Sequence, residues 1–252
     1  MMLDSNTIVK MNDLHLDAMA REFERQLSDP ACQSLSIDDR IAMMVDLQWR
    51  CRIDARVSRA LKKAKLGIPG ACVEDILYIA DRKLDKGLIT KLASCAYIAD
   101  NRNICVTGAS GAGKSFVASA FGNSACRNTL SVAYVRLPEL LNELAVARVE
   151  NNYRAVIAHY KKVRLLIFDE WLLYSLKVGE ARDLLEIIEA RSSVGASMIF
   201  CSQFDPKGWY EKIGDPTLAD AVCDRIIHNS FRIHIEGEDS MRKRLGLTSA
   251  EA

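Results

Sequence analysis

Residues Gly108-Ala109-Ser110-Gly111-Ala112-Gly113-Lys114-Ser115 fit G-x-x-x-x-G-K-[ST] at every specified position, a spacing that lets a backbone close around phosphate oxygens. The glycines allow the loop to curl with its N–H groups inward, and the helix that starts there adds the partial positive charge of its first turn. Lys114 is placed to neutralise β- and γ-phosphates, Ser115 to offer its hydroxyl to Mg²⁺, and Phe116 ends the nucleotide-binding stretch. Asp169 and Glu170 close the apolar run Val163–Phe168. There an aspartate holds Mg²⁺ and the next acid orients and deprotonates the attacking water. Ser202 and Gln203 end a second such run. They would sit beside the γ-phosphate if that strand lies next to the first and third. Arg225 admits two readings, a helix-end ion pair or a finger reaching a neighbouring subunit's nucleotide, where such a group is worth roughly 10³–10⁵ in rate.

These residues need particular elements to hold them. Ile104-Cys105-Val106 reads as a buried strand entering the loop, and Phe116–Phe121 opens the helix leaving it. Four further strands follow at 131–136, 163–168, 196–201 and 231–235, separated by helical stretches. Strands alternating with helices imply a mostly parallel sheet covered on both faces. Before the loop, residues 12 to about 65 are helical, broken at Asp29-Pro30 and recapped by Ser36–Asp39. On the long helix, Trp49, Ile53, Val57, Ala60, Leu61 and Ala64 share one side. Arg52, Arg56, Arg59 and Lys63 form an adjacent stripe, with Asp54 the lone acid between 50 and 65. An unrelieved basic stripe suits a polyanion such as a DNA backbone, although a solvated basic face has the same composition. Four phosphate contacts would give log affinity a slope of about −3.6 against log salt. The breaker Gly67-Ile-Pro-Gly70 separates an N-terminal helical domain, 1–66, from an ATPase domain, 71–252.

Composition is permissive: 34 Lys+Arg against 33 Asp+Glu leaves a net charge of +1, too small to indicate a partner. No run approaches a membrane span and the N-terminus lacks a signal pattern, so a cytoplasmic chain is expected. The 8 cysteines show no C-x-x-C pair and read as small buried apolar residues. Arg242, Lys243 and Arg244 form a second basic cluster, either a ligand contact or a cationic tail.

Asp215–Asn229 with its Asp224-Arg225-Ile-Ile core, Ser240–Lys243, Leu84-Asp-Lys86, Leu-Ile-Phe-Asp169-Glu170, Ser202-Gln203 and the N-terminal Met19-Ala and Phe23–Gln26 resemble the IstB family of transposition helper ATPases. That family belongs to the AAA+ ATPases and is related to DnaC-type helicase loaders. The resemblance implies an α/β, three-layer P-loop fold with a five-stranded parallel sheet of order 5-1-4-3-2, a small N-terminal all-α domain and a truncated C-terminal lid. It further implies ATP and Mg²⁺ as cofactors and a homo-oligomer, filament or ring, on duplex DNA with ATP sites shared between subunits. A partner transposase is implied too, with helicase loading as the alternative. It makes Ser202 or Gln203 the first sensor, Arg225 the trans-acting finger and Arg242 a second sensor. Trp171 departs from the glycine that relatives often carry, which should alter loop packing rather than chemistry.

Overall fold

In a computed structural model of the chain, residues 2–237, 240–244 and 246 are described. They fall into two compact units, one ending at Arg59 and one beginning at Ala60. The change from one unit to the next falls within the helix Ile37–Ala64, whose last residue Ala64 is buried, like Leu66 just beyond it, among the apolar residues of the second unit.

The first unit contains α1 (Met2–Asp13), α2 (Asp17–Ser28), α3 (Pro30–Gln33) and most of α4 (Ile37–Ala64). Pro30 opens α3, with the Asp29 carboxylate accepting from Ala31 N–H at 3.0 Å. Ser36 Oγ accepts from Asp39 N–H at 3.1 Å to start α4, as the capping pattern predicts. The apolar spacing misleads about what packs. Leu14 and Trp49 are 67% and 63% exposed, and α2 buries Ala18, Ala20, Glu22 and Gln26. Glutamines make the joint: Gln48 Oε1 accepts from Ala18 N–H and Met19 N–H, each at 3.0 Å, and Gln26 Nε2 donates to Arg40 O at 3.1 Å. Long amide side chains thus bridge α2 and α4 by hydrogen bonds to backbone groups, and Trp49 takes no buried place in the joint.

The second unit is a five-stranded parallel sheet: β1 (Asn103–Gly108), β2 (Val132–Arg136), β3 (Leu165–Asp169), β4 (Ser197–Ser202) and β5 (Ser230–Ile235), ordered β2-β3-β4-β1-β5. This is the expected 5-1-4-3-2 read from the other edge. Between the strands run α5 (Lys86–Ala93) and α6 (Ala96–Ala99) before β1, then α7 (Lys114–Arg127), α8 (Leu137–Val149), α9 (Tyr153–Lys162), α10 (Val178–Ser192), α11 (Pro206–Ile213), α12 (Pro216–Ile227) and the short α13 (Met241–Arg244). Strand alternation divides the core. Ile104, Val106, Ile167, Ile199 and Cys201 pack with α7, while Cys105, Leu166, Phe168, Met198 and Phe200 pack with α8, α10 and α12.

Two buried features fix this second face. Trp171, Trp209, Phe168 and Phe200 form an aromatic cluster, with the two indole rings 5.8 Å apart. Trp171 therefore fills the core beneath the acid pair, as its departure from glycine suggests. Arg191 is fully buried and donates to the carbonyls of Tyr160, Val163 and Ser197, tying α10 to the starts of β3 and β4. Six cysteines are buried and two half-buried, all free, and among the described residues no cluster of three or more His, Cys, Asp and Glu side chains is placed to hold a metal ion. No described helix is long and apolar enough to cross a membrane.

Candidate nucleotide-binding site

The loop leaving β1 turns through three left-handed glycines, Gly108, Gly111 and Gly113, with φ of 147°, 79° and 97°. Space as well as backbone demands them. A Cβ on Gly108 would overlap the Ile235 carbonyl oxygen, and one on Gly113 would lie 2.8 Å from Arg82 Nη2. Two outer segments hold the loop. Arg82, buried, donates from Nη2 to Ala112 O at 2.9 Å, and Met241 N–H donates to Gly111 O at 2.9 Å. Ala109 and Ser110 are exposed at the turn, and Phe116 lies in the first turn of α7. Lys114 Nζ donates to Gly108 O and Ala109 O, both at 2.8 Å, so the cation already sits over the loop's mouth. Burial pushes its ammonium below the ordinary lysine range, a cost that an incoming negative charge would offset.

Beside the lysine, Ser115 Oγ donates to Asp169 Oδ2 at 2.7 Å across α7 and β3. The second carboxylate oxygen accepts from Glu170 N–H at 2.9 Å. Serine hydroxyl and carboxylate oxygens brought together in this way are hard donors of the kind Mg²⁺ takes. Glu170 has a left-handed φ of 54°, which turns its side chain away from the strand. There Arg136 Nη2 donates to Glu170 Oε1 at 2.6 Å and Arg136 Nη1 to Glu139 at 3.1 Å. The Glu170 bond raises the already high pKa of Arg136.

Strand order supplies what motif reading misses. β2 lies next to β3 in the register Arg136↔Asp169 and Tyr134↔Ile167. Arg136 is thereby brought to Glu170. Tyr134 Oη donates to Asp169 Oδ2, and burial followed by that bond raises the phenol's pKa. The signal available in the sequence was that the second strand's last polar residues must adjoin the third strand's acids.

β4 does lie between β1 and β3, with Thr107 paired to Ser202. The two sensor candidates differ, however. Ser202 is fully buried, donates to Trp171 O at 2.9 Å, and accepts from Phe204 N–H and Trp209 Nε1, each at 3.1 Å. Its hydroxyl is consumed by the core. Gln203, one residue beyond the ladder, is exposed at the level of Gly108. Arg225 is not brought to this cluster. It lies with Asn103 and Met198 at the opposite end of the sheet, donating to Glu189 Oε1 at 2.7 Å and to Ala221 O at 2.8 Å. Arg52, Arg56, Arg59 and Lys63 are all exposed on α4, and among the described residues none pairs with a carboxylate. Arg244 pairs with Asp81, while the side chain of Arg242 lies outside the described residues.

The family model for IstB-like ATP binding proteins matches residues 9–249. The chain belongs to that family. An insertion sequence ATP-binding protein of Sinorhizobium fredii, y4pL, is 37% identical over 243 residues, which is 96% of this chain and 98% of its own. Among solved structures, AMPPCP-bound DnaA from Aquifex aeolicus superposes with a TM-score of 0.58 at 17% identity, covering 73% of this chain and 57% of that one. DnaI superposes at 0.57 and 20% identity, over 66% and 91%. This IstB-like protein is thus an ATP-binding protein with the fold of an AAA+ P-loop ATPase.

Proposed function

We propose that this IstB-like protein hydrolyses Mg²⁺-bound ATP to control its assembly on duplex DNA, and that the assembly helps a partner transposase engage its target. The observation that carries the chemistry is the convergence of Lys114, Ser115, Asp169 and Glu170 at one end of the sheet. Lys114 neutralises the transferred phosphoryl group, Ser115 and Asp169 hold the metal, and Glu170 orients the attacking water. A bound Mg²⁺ would supply further charge neutralisation on the phosphates. Gln203, with its side chain free of the core, is the better of the two sensor candidates.

DNA binding rests on the exposed stripe Arg52, Arg56, Arg59 and Lys63. The transposase rests on the relatives, which belong to insertion sequences. The loader alternative is supported by fold alone. A shared ATP site rests on Arg225, whose place at the far end of the sheet leaves its own nucleotide out of reach. We also retain the N-terminal helices as the DNA-binding part and the rest as the ATPase.

Glu170→Gln tests the core of this reading. The variant should bind ATP with wild-type affinity and lose about 10²–10⁴-fold in steady-state phosphate release. Turnover at the wild-type rate would remove Glu170 as the base.

A further inference from the structure

Asp169 has a neighbour that the phosphate-loop chemistry leaves out. Tyr134 sits on β2, one strand away, with its side chain on the α7 face of the sheet, and its hydroxyl donates to the same Oδ2 that accepts from Ser115. With Glu170 N–H on Oδ1, all three polar neighbours of the carboxylate are fixed by separate elements: α7, β2 and the β3 exit. Such an arrangement sets the direction of the free lone pairs. An unsupported aspartate at a strand end would choose among rotamers.

The phenol itself is held from behind. α4 ends at Ala64, Lys65 turns with a φ of 50°, and the chain passes Leu66 to Gly67. A Cβ on Gly67 would overlap the Tyr134 oxygen and lie 2.5 Å from Cζ. Gly67 is not among the residues of positive φ, so its backbone could take any side chain and the requirement is for space alone. The next residue anchors this exit, Ile68 N–H donating to Ser119 Oγ of α7 at 3.2 Å. A glycine read from sequence only as a breaker is thus the seat of a tyrosine ring.

We infer that Tyr134 is a positioning residue that orients Asp169 for Mg²⁺, and that Gly67 keeps open the space its hydroxyl needs. The inference rests on the assignment of Asp169 to the metal. It assigns Tyr134 no contact with substrate. Removing the hydroxyl should weaken the metal's contribution to nucleotide binding while leaving the phosphate loop's own contribution intact.

The test is a Mg²⁺ titration of the affinity of the full chain for a fluorescent, non-hydrolysable ATP analogue, with EDTA as the metal-free arm. Tyr134→Phe should match wild type in EDTA and need about 10- to 100-fold more Mg²⁺ to reach half of the metal-dependent gain. Gly67→Ala should shift the midpoint in the same direction, since its Cβ would displace the ring that carries the hydroxyl. A wild-type midpoint in Tyr134→Phe, with Asp169→Asn shifted, would overturn the positioning role and leave the metal assignment standing. An unshifted Asp169→Asn would overturn both. Equal losses in EDTA and in Mg²⁺ would mean that the tyrosine only packs the site, which also overturns the inference.

Discussion

Two charged regions of this chain treat their charges in opposite ways. At the phosphate loop, Lys114, Asp169 and Glu170 each have partners from the chain itself: loop carbonyls, a serine and tyrosine, and an arginine. Along α4, Arg52, Arg56, Arg59 and Lys63 face solvent and form no ion pair with a carboxylate among the described residues. A buried or half-buried ion without a partner is costly, so a catalytic cluster inside a fold must be pre-organised by the fold. An exposed cation carries no such penalty and can await an external anion. The difference teaches that the charges at the phosphate loop are pre-organised by the chain's own groups, whereas those of the stripe are left open to solvent.

Arg225 is the residue that could break this division. It is internally paired, to Glu189, yet we assign it to a neighbour's nucleotide. If the assignment holds, Arg225→Ala should lower turnover by about 10³-fold or more while ATP affinity in the monomer stays at wild type. The split site adds a sharper readout. Mixing Arg225→Ala with Glu170→Gln should recover activity, because some interfaces then join an intact arginine to an intact base. A mixture as inactive as its components, or full activity of Arg225→Ala alone, would return Arg225 to the plain ion pair.

Next in size is the stripe. Reversing Arg52, Arg56, Arg59 and Lys63 to Glu should weaken binding to every duplex sequence alike and flatten the slope of log affinity against log salt by about 3.6 or more. Basal ATP affinity should not move, since none of the four belongs to the phosphate loop, the acid pair or their hydrogen-bond partners. Unchanged DNA affinity would show the stripe to be only a solvated face.

How much of this was legible beforehand differs between the same two regions. The loop, the acid pair and the five strands could be read because each imposes a local pattern: glycines at fixed spacing, apolar runs ended by carboxylates, proline and serine at helix starts. Strand order was carried by the family resemblance, and with it came β4 between β1 and β3. Tyr134 and Arg136 were missed because their roles depend on register across β2 and β3, which no window of sequence displays. Ser202 could not be separated from Gln203 until Trp171 and Trp209 were seen to take its hydroxyl. In the helical unit, wheel periodicity grouped Trp49 with Ile53 and Val57 on one side, yet Trp49 is exposed while Gln48 and Gln26 make the hydrogen bonds that join α2 and α4. Apolar spacing identifies a face only where apolar contacts make the joint.

The smallest expected effect discriminates most finely between a stripe that acts as a set and one that merely contains a single important cation. Arg56 is exposed, and no hydrogen bond or ion pair is formed by its side chain among the described residues. Arg56→Ala removes one unit of charge and puts a better helix former in its place. Thermal stability should therefore hold or rise slightly, while the salt slope of DNA binding falls by about 1 and sequence preference stays as it was. Arg52, which donates to His15 O at 3.4 Å, should lose the same increment of slope when changed to alanine. Equal increments would show phosphates read one per arginine along α4. A loss confined to one position would instead place a localised anion there and end the picture of a helix lying along a backbone.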